Sequence, residues 1–460
     1  MTDADTTVEA TESNAIGTVR QFFGLRRDVL VLSLAMFAFS LAFQMTSRFL
    51  PEYIVALGGS ELLVGVFGTF GNIIAAVFPY PGGALSDRIG SRYALTLFGA
   101  LSTVGFLLWL LAPALGTVVI AGVTVQPWVW IFVGLLLAQA WKSFGLGATF
   151  AVVKQATDPS RLAAGFASTE IFRRSAFFLG PVTAGLLISL HPEFTVSFRY
   201  VLAVGVAAGV LGTVVQHVLY DASDDTIGDS FEGLAQIRQD LRAMPEPLRP
   251  LLIGDTLVRF ANGMVYVYFI IVVTRLFEVG LETSMSLPAV GTVAVSLSPQ
   301  AFFGYLLGIE MAVALLVMMP AAKLAERVGL KPVVALGFAV YAIFPVVLIN
   351  APGTPLSMIL LFAFSGLRFA GLPSHKALIV GPSEQDAGGR VTGTYYLLRN
   401  TIVIPSAALG GLLYDGIPAW LPGSALYDGS PTLAFAVASA VGVVGTVYFL
   451  LRGREFEAYA

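Results

Sequence analysis

Twelve long apolar stretches dominate this sequence, at about 29–57, 61–85, 93–116, 128–154, 163–190, 198–220, 249–277, 299–324, 332–351, 355–381, 388–414 and 431–452. A helix needs roughly 20 mainly apolar residues to cross the hydrocarbon core of a bilayer. These runs are continuous, not ten-residue alternations, so they predict helices and not barrel strands. Only 12% of the residues are charged and the mean hydropathy is +0.81, whereas a soluble chain carries about 25% charged residues. The expected fold class is an all-α polytopic membrane protein with twelve transmembrane helices in two six-helix halves. The chain has no cysteine, which excludes disulfides, thiolate chemistry and cysteine-based metal sites. A net charge of −3 with dispersed bases gives no reason to expect nucleic acid as a partner.

Lysine and arginine orient the spans. If both termini are cytoplasmic, the inside segments hold 17 of these bases and the outside segments hold Arg199 and Arg275. That asymmetry satisfies the positive-inside rule. The first 19 residues are acidic and lack an apolar centre, so they read as a cytoplasmic tail and not as a signal peptide. The expected location is the plasma membrane, multi-pass, with both termini cytoplasmic.

One cytoplasmic break repeats. "GGALSDRIGSR" follows span 2, and "AAKLAERVGLK" follows span 8, 239 positions later. Asp87 matches Glu326, Arg88 matches Arg327, Gly90 matches Gly329, and Arg92 matches Lys331. An internal repeat of six spans is a signature of secondary transporters. It divides the chain into a tail at 1–28, a first half at 29–220, a linker at 221–248, a second half at 249–452 and a tail at 453–460. In the linker, Phe231, Leu234, Ile237, Leu241 and Met244 recur at helical spacing, which predicts an amphipathic helix at the membrane surface. The other reading of this segment is a polar linker with some helix.

Twelve spans with Gly83, Leu85, Asp87, Arg88, Gly90, Arg92 and Leu95 in this register resemble the major facilitator superfamily across 29–452. The resemblance implies a loop that acts as a cytoplasmic latch between the halves, built from Gly83, Asp87, Arg88, Gly90 and Arg92 and, in the second copy, Glu326, Arg327, Gly329 and Lys331. Its physics is legible without the name. Gly83 permits close helix approach, and Gly90 permits a tight turn. Asp87 can pair with a base or cap exposed N–H groups, and the arginines suit lipid head groups.

Charges inside spans are costly unless they face an interior. Seven bases lie there: Arg48, Lys142, Arg173, Arg174, Arg259, Arg368 and Arg399. The acids are Glu52, Glu170, Asp255 and Glu310. They fall in spans 1, 4, 5, 7, 8, 10 and 11, while the resemblance implies a lipid-facing periphery of spans 3, 6, 9 and 12. Arg48 with Glu52, Glu170 with Arg174, and Asp255 with Arg259 are spaced to pair along one helix face. Bases outnumber acids near the midplane, which favours an anionic substrate. In "WKSFGLGA" of span 4, Trp141 stands where the resemblance implies an antiporter arginine and Lys142 one step on, and both join the candidate substrate and coupling residues. Glu310 is the candidate proton carrier, since burial favours its neutral form; a structural pair with a neighbouring arginine is the other reading.

Span 5 carries "AFFLGPVTAG", in which Gly180, Pro181 and Gly185 match a proline-glycine pattern of drug–proton antiporters and Ala176 and Ala184 replace glycines. Gly180 and Pro181 are expected to bend the helix. The resemblance thus implies alternating access with proton-coupled efflux of an anionic or amphipathic small molecule by a monomer, without a metal or cofactor. Import of an organic anion by symport, or a non-transporting sensor, are the alternatives. No H-E-x-x-H, P-loop or nucleophile–histidine–acid set points to an enzyme.

Overall fold

Each of the twelve stretches carries helix. The computed structural model describes residues 27–78, 85, 88–120, 122–142, 162–220, 244, 246, 248–287, 291–380, 388–418 and 425–455. Span 1 is Arg27–Thr46 followed by Leu50–Ala56, span 2 Glu61–Val77, span 3 Ser91–Leu115, span 4 Val129–Ala140, span 5 Leu162–Ile188 and span 6 Phe194–Leu219. Span 7 is Leu248–Leu276, span 8 Pro299–Val328, span 9 Leu330–Ile349, and span 12 Pro431–Arg452. Span 10 is Pro355–Gly366 with Leu372–Val380, and span 11 is Gly388–Val403 with Ser406–Tyr414. Among the described residues eight helices are long and apolar enough to cross a membrane, nine with the bent pair of span 1. Spans 2 and 4 are shorter apolar helices. The linker helix expected within 221–248 lies outside the described residues, apart from Met244, Glu246 and Leu248.

Helix starts follow local chemistry. Ser60, Ser298, Thr354 and Ser430 cap spans 2, 8, 10 and 12 with their hydroxyls, accepting from Leu63, Ala301, Ser357 and Leu433 N–H groups. Prolines at the first turn follow three of them, where a missing N–H costs nothing. All four caps lie at one end of the bundle, called here the capped end. At the other end the repeated break recurs in the backbone. Gly90 has φ 83° and ψ 152°, and Gly329 has φ 90° and ψ 164°. Both glycines take a left-handed conformation that a Cβ disfavours.

Three two-stranded antiparallel hairpins, which the apolar pattern did not predict, join spans 3–4, 7–8 and 11–12 at the capped end. Spans 3 and 6 pack along each other, as do spans 9 and 12. Their outer faces expose rows of Leu and Val, including Leu97, Val104, Leu111, Leu211, Val214, Val444 and Leu451. Those rows face lipid, where apolar side chains belong.

The first and second sets of six spans meet chiefly along spans 5 and 8 and along spans 2 and 11. Small residues permit it. A Cβ on Gly304 would lie 2.7 Å from the Pro181 carbonyl oxygen, and one on Gly65 2.6 Å from that of Ala407. Span 5 runs as unbroken helix through Pro181 from Leu162 to Ile188, and Gly180 packs against Gln44 of span 1. The glycine–proline pair is thus a seat for neighbouring helices.

Candidate functional site

The backbone departs from α-helix where intramembrane polar groups gather. Arg48 sits in the break of span 1, and Trp141 and Lys142 form a π turn after span 4. Tyr266 opens a 3₁₀ turn in span 7, and Arg368 is the middle of a 3₁₀ turn in span 10. Irregular backbone at membrane depth is tolerated where it is enclosed by protein or lines a cavity, and interrupted helices mark binding sites in secondary transporters.

Asp255 anchors one cluster and is fully buried. Its Oδ1 accepts from Arg259 Nε at 3.3 Å, one turn on in span 7. Its Oδ2 accepts from Arg399 Nη1 at 3.1 Å and from the Tyr395 hydroxyl at 3.1 Å, both in span 11. His375 Nε2 of span 10 lies 3.2 Å from the same oxygen, without the alignment of a hydrogen bond. Arg259 also donates to the Tyr341 hydroxyl at 3.0 Å. One carboxylate thereby bonds spans 7 and 11 together, with His375 of span 10 packed against it.

Glu310 of span 8 forms the second cluster. It is paired with Arg368 Nη2, both side chains being about 98% buried, and accepts from Ser365 Oγ at 2.7 Å. Arg368 keeps two further buried donors, Nε and Nη1, without a hydrogen-bond partner among the described residues. Aromatic faces surround it: its guanidinium carbon lies 4.9 Å from the Phe369 ring centroid, 5.1 Å from Tyr341 and 5.9 Å from Tyr266.

Arg48 reaches the same tyrosine, 4.0 Å above the Tyr266 ring. The sequence spacing suggested a pair with Glu52, but the structure separates them. Glu52 Oε2 accepts from Arg275 Nε and Thr274 Oγ1, both at 2.9 Å, and Oε1 from Gln300 Nε2 at 3.3 Å. The break between Thr46 and Leu50 turns the two residues to different neighbours. Glu52 therefore joins span 1 to spans 7 and 8 near the capped end, away from the midplane. Other bonds tie the two sets of spans there: Asp415 Oδ2 accepts from the Leu62 N–H at 2.7 Å, and the Tyr268 hydroxyl donates to the Glu61 carbonyl at 2.9 Å.

A cavity of about 180 Å³ adjoins the Asp255 cluster, lined by Asn72, Arg259, Asn262, Tyr266, Arg399 and Asn400 among others. Amides and guanidinium groups on its wall supply donors to a small polar ligand.

Trp141 stacks on Phe39 and donates its indole N–H to Gln216 at 3.2 Å, while Lys142 stands over the Phe43 ring at 4.3 Å. Arg174 donates to Met318 Sδ at 3.4 Å. Glu170 lies in span 5, but its side chain is outside the described residues, and the expected pair with Arg174 goes with it. Gly83 and Asp87 of the repeated loop are also outside them. Arg88, Glu326 and Arg327 are exposed. Arg92 Nε donates to the His217 carbonyl at the end of span 6. The N–H groups of Leu330 and Lys331 donate to Glu455 beyond span 12. These described contacts fasten span 3 to span 6 and span 9 to span 12.

Sequence reasoning missed Tyr266, Tyr341, Tyr395, His375 and the three asparagines. One signal was available for His375: it lies seven residues beyond Arg368, two turns along the same helix face.

The Major Facilitator Superfamily profile matches residues 32–308, more than half the chain. The chain belongs to that superfamily. This MFS protein is a multi-pass membrane transporter for a small molecule. It is 21% identical over 407 residues to an uncharacterized MFS-type transporter of Methanocaldococcus jannaschii, covering 87% of this chain and 92% of that one. A putative uncharacterized MFS-type transporter of Mycobacterium tuberculosis is 29% identical over 226 residues, 48% of each chain. Among solved structures, a variant of the nucleoside transporter NupG matches at TM-score 0.68 and 13% identity, over 93% of this chain and 100% of that one. The peptide transporter POT in complex with sulfate matches at TM-score 0.66 and 14% identity, over 93% of each. At such identities the likeness is one of fold.

Proposed function

We propose that this MFS transporter carries a small organic anion together with a proton. The observation that supports this reading is Arg368, which shares one nitrogen with Glu310 and leaves two buried donors unpartnered. Buried guanidinium donors left open are costly until an acceptor arrives. An anion docked at Arg48 and Tyr266 competes with Glu310 for Arg368. Glu310, having lost its base, is the carboxylate to which this reading assigns the proton. Anion and proton therefore bind with positive coupling, and linkage requires each to strengthen the other. This is the logic of symport.

The 17-to-2 distribution of bases supports a cytoplasmic face at the repeated-loop end. On that assignment Glu52, Asp415 and Tyr268 close the outer end, and binding takes place from the cytoplasmic side. Efflux by proton antiport is the second reading, favoured by the antiporter-like Gly180, Pro181 and Gly185 of span 5. The sign of the proton effect distinguishes them. In proteoliposomes, symport predicts that acid on the substrate's side accelerates uptake of a labelled carboxylate, whereas antiport predicts acceleration by acid on the opposite side. Uptake of cations alone, unaffected by Arg368→Gln, would remove the anion reading.

A further inference from the structure

Phe39 and Phe43 lie one turn apart on span 1, Trp141 and Lys142 form the π turn after span 4, and Arg173 and Phe177 lie one turn apart on span 5. Together with Phe106 they line a cavity of about 70 Å³. Its wall is aromatic and held in place. The Trp141 and Phe39 rings stack with centroids 4.6 Å apart and planes 16° apart. The indole N–H, anchored on Gln216, keeps the Trp141 ring from turning. Burying apolar surface drives a flat hydrocarbon against such a wall, and ring–ring contact adds geometric preference.

Two bases line that wall, Lys142 and Arg173. Lys142 rests on the Phe43 ring, and no carboxylate pairs with it among the described residues. The charged groups that act on it are themselves bases, Arg48 and Arg173. Arg48 also stands over the Tyr266 ring, the ring that Arg368 approaches from its own side, so Lys142 shares its electrostatic surroundings with the site described above. An ammonium beside further bases, with a ring as its nearest partner, favours an anionic head group.

A second cavity of about 240 Å³ shares Arg173 and Phe177 and extends the apolar wall to Met311, Met318 and Leu372. Methionine side chains adapt to irregular shapes. The apolar surface beyond Phe177 is therefore permissive in shape.

We infer that the transported anion is an aryl carboxylate, with its head between Arg48 and Lys142 and its flat hydrocarbon body against Phe39, Phe43, Trp141 and Phe177. This assignment rests on the anion reading proposed above and specifies the body that reading leaves open. A sugar phosphate or a short hydroxy acid presents hydroxyl groups to that wall, where they lose water without gaining hydrogen bonds.

The test is equilibrium binding to the purified full chain with four probes: 1-naphthoate, acetate, inorganic phosphate and the neutral 1-naphthamide. Naphthoate is expected to bind at least about tenfold more tightly than acetate, phosphate or naphthamide, the scale of one well-buried aromatic contact or one charge-assisted contact. Phe43→Ala should weaken naphthoate about tenfold and leave acetate within about twofold. Phe43→Leu, which keeps the volume and apolarity needed for folding, should give an intermediate loss. Lys142→Gln should weaken naphthoate and leave naphthamide unchanged. Equal binding of naphthoate and acetate, or a full-affinity Phe43→Leu protein, overturns the aryl body while leaving the anion. Naphthamide binding as tightly as naphthoate overturns the role of Lys142. If neither naphthoate, acetate nor phosphate binds and Arg48→Gln changes nothing, the anion reading itself fails.

Discussion

At the scale of single residues, two buried carboxylates do different work. Asp255 is surrounded by Arg259, Arg399, His375 and Tyr395, a saturated arrangement whose effect is to fix three helices. Removing one partner of a buried ion pair costs about 3–5 kcal/mol, because the remaining charges lose their compensation. Asp255→Asn is therefore expected to lower the melting temperature in detergent sharply, and adding Arg399→Gln to restore part of the loss. Glu310 has one arginine and one serine, and in the proposed cycle it is the carboxylate that is released. Glu310→Gln is expected to keep substrate exchange across liposomes while abolishing accumulation driven by a pH gradient. The Asp255–Arg259 pair could be read from sequence because four residues along a helix bring side chains to one face. The pairing of Glu52 with Arg275 could not, since the two lie 223 positions apart and only tertiary packing brings them together.

At the scale of elements, the apolar runs located the helices but not their interruptions. Span 1 reads as continuous from about 29 to 57, yet it breaks after Thr46 and bends by 44°. One cue was Pro51, which stands in the first turn of the second piece, where proline is favoured. Span 10 carries the same cue, Pro373 in the first turn of its second piece, whereas the irregular turns of spans 4 and 7 carry none, because packing against neighbouring helices selects them. Close approach of spans 2 and 11 depends on residues without side chains, Gly65 and Gly411. Gly65→Val should wedge these spans apart. Because the chain contains no cysteine, a thiol introduced by Thr69→Cys is the sole target for a maleimide. Its labelling from the capped end is expected to rise several-fold when Gly65→Val is added. An unchanged rate would show that the contact does not seal this end.

For the whole molecule, the repeat points to two sets of six spans, and the bias of basic residues supports one orientation for them. Which access state the chain occupies is invisible in sequence, since it rests on contacts between distant segments. Glu52 with Arg275 and Gln300, and Asp415 on the first turn of span 2, tie the two sets of spans together at the capped end. Arg275 is 37% exposed, so its pair is worth about 1 kcal/mol, which shifts a two-state equilibrium roughly fivefold. Arg275→Gln should move the population toward opening at that end, read as a change in distance between spin labels on spans 2 and 11. Glu52→Gln should shift it further, because three donors lose their charged acceptor.

The pairing of a single arginine with a single carboxylate also has an electrical consequence. When a monovalent anion replaces Glu310 at Arg368 and Glu310 takes a proton, the loaded cavity has the same net charge as the empty one. Each crossing then moves no charge, and a potential imposed by potassium and valinomycin should leave accumulation unchanged while collapsing the pH difference abolishes it. A measurable transport current would contradict one-to-one exchange at this pair. On the proposed one-to-one coupling, the driving force would be set by the acidity and solute concentration on either side of the membrane, and not by the voltage between them.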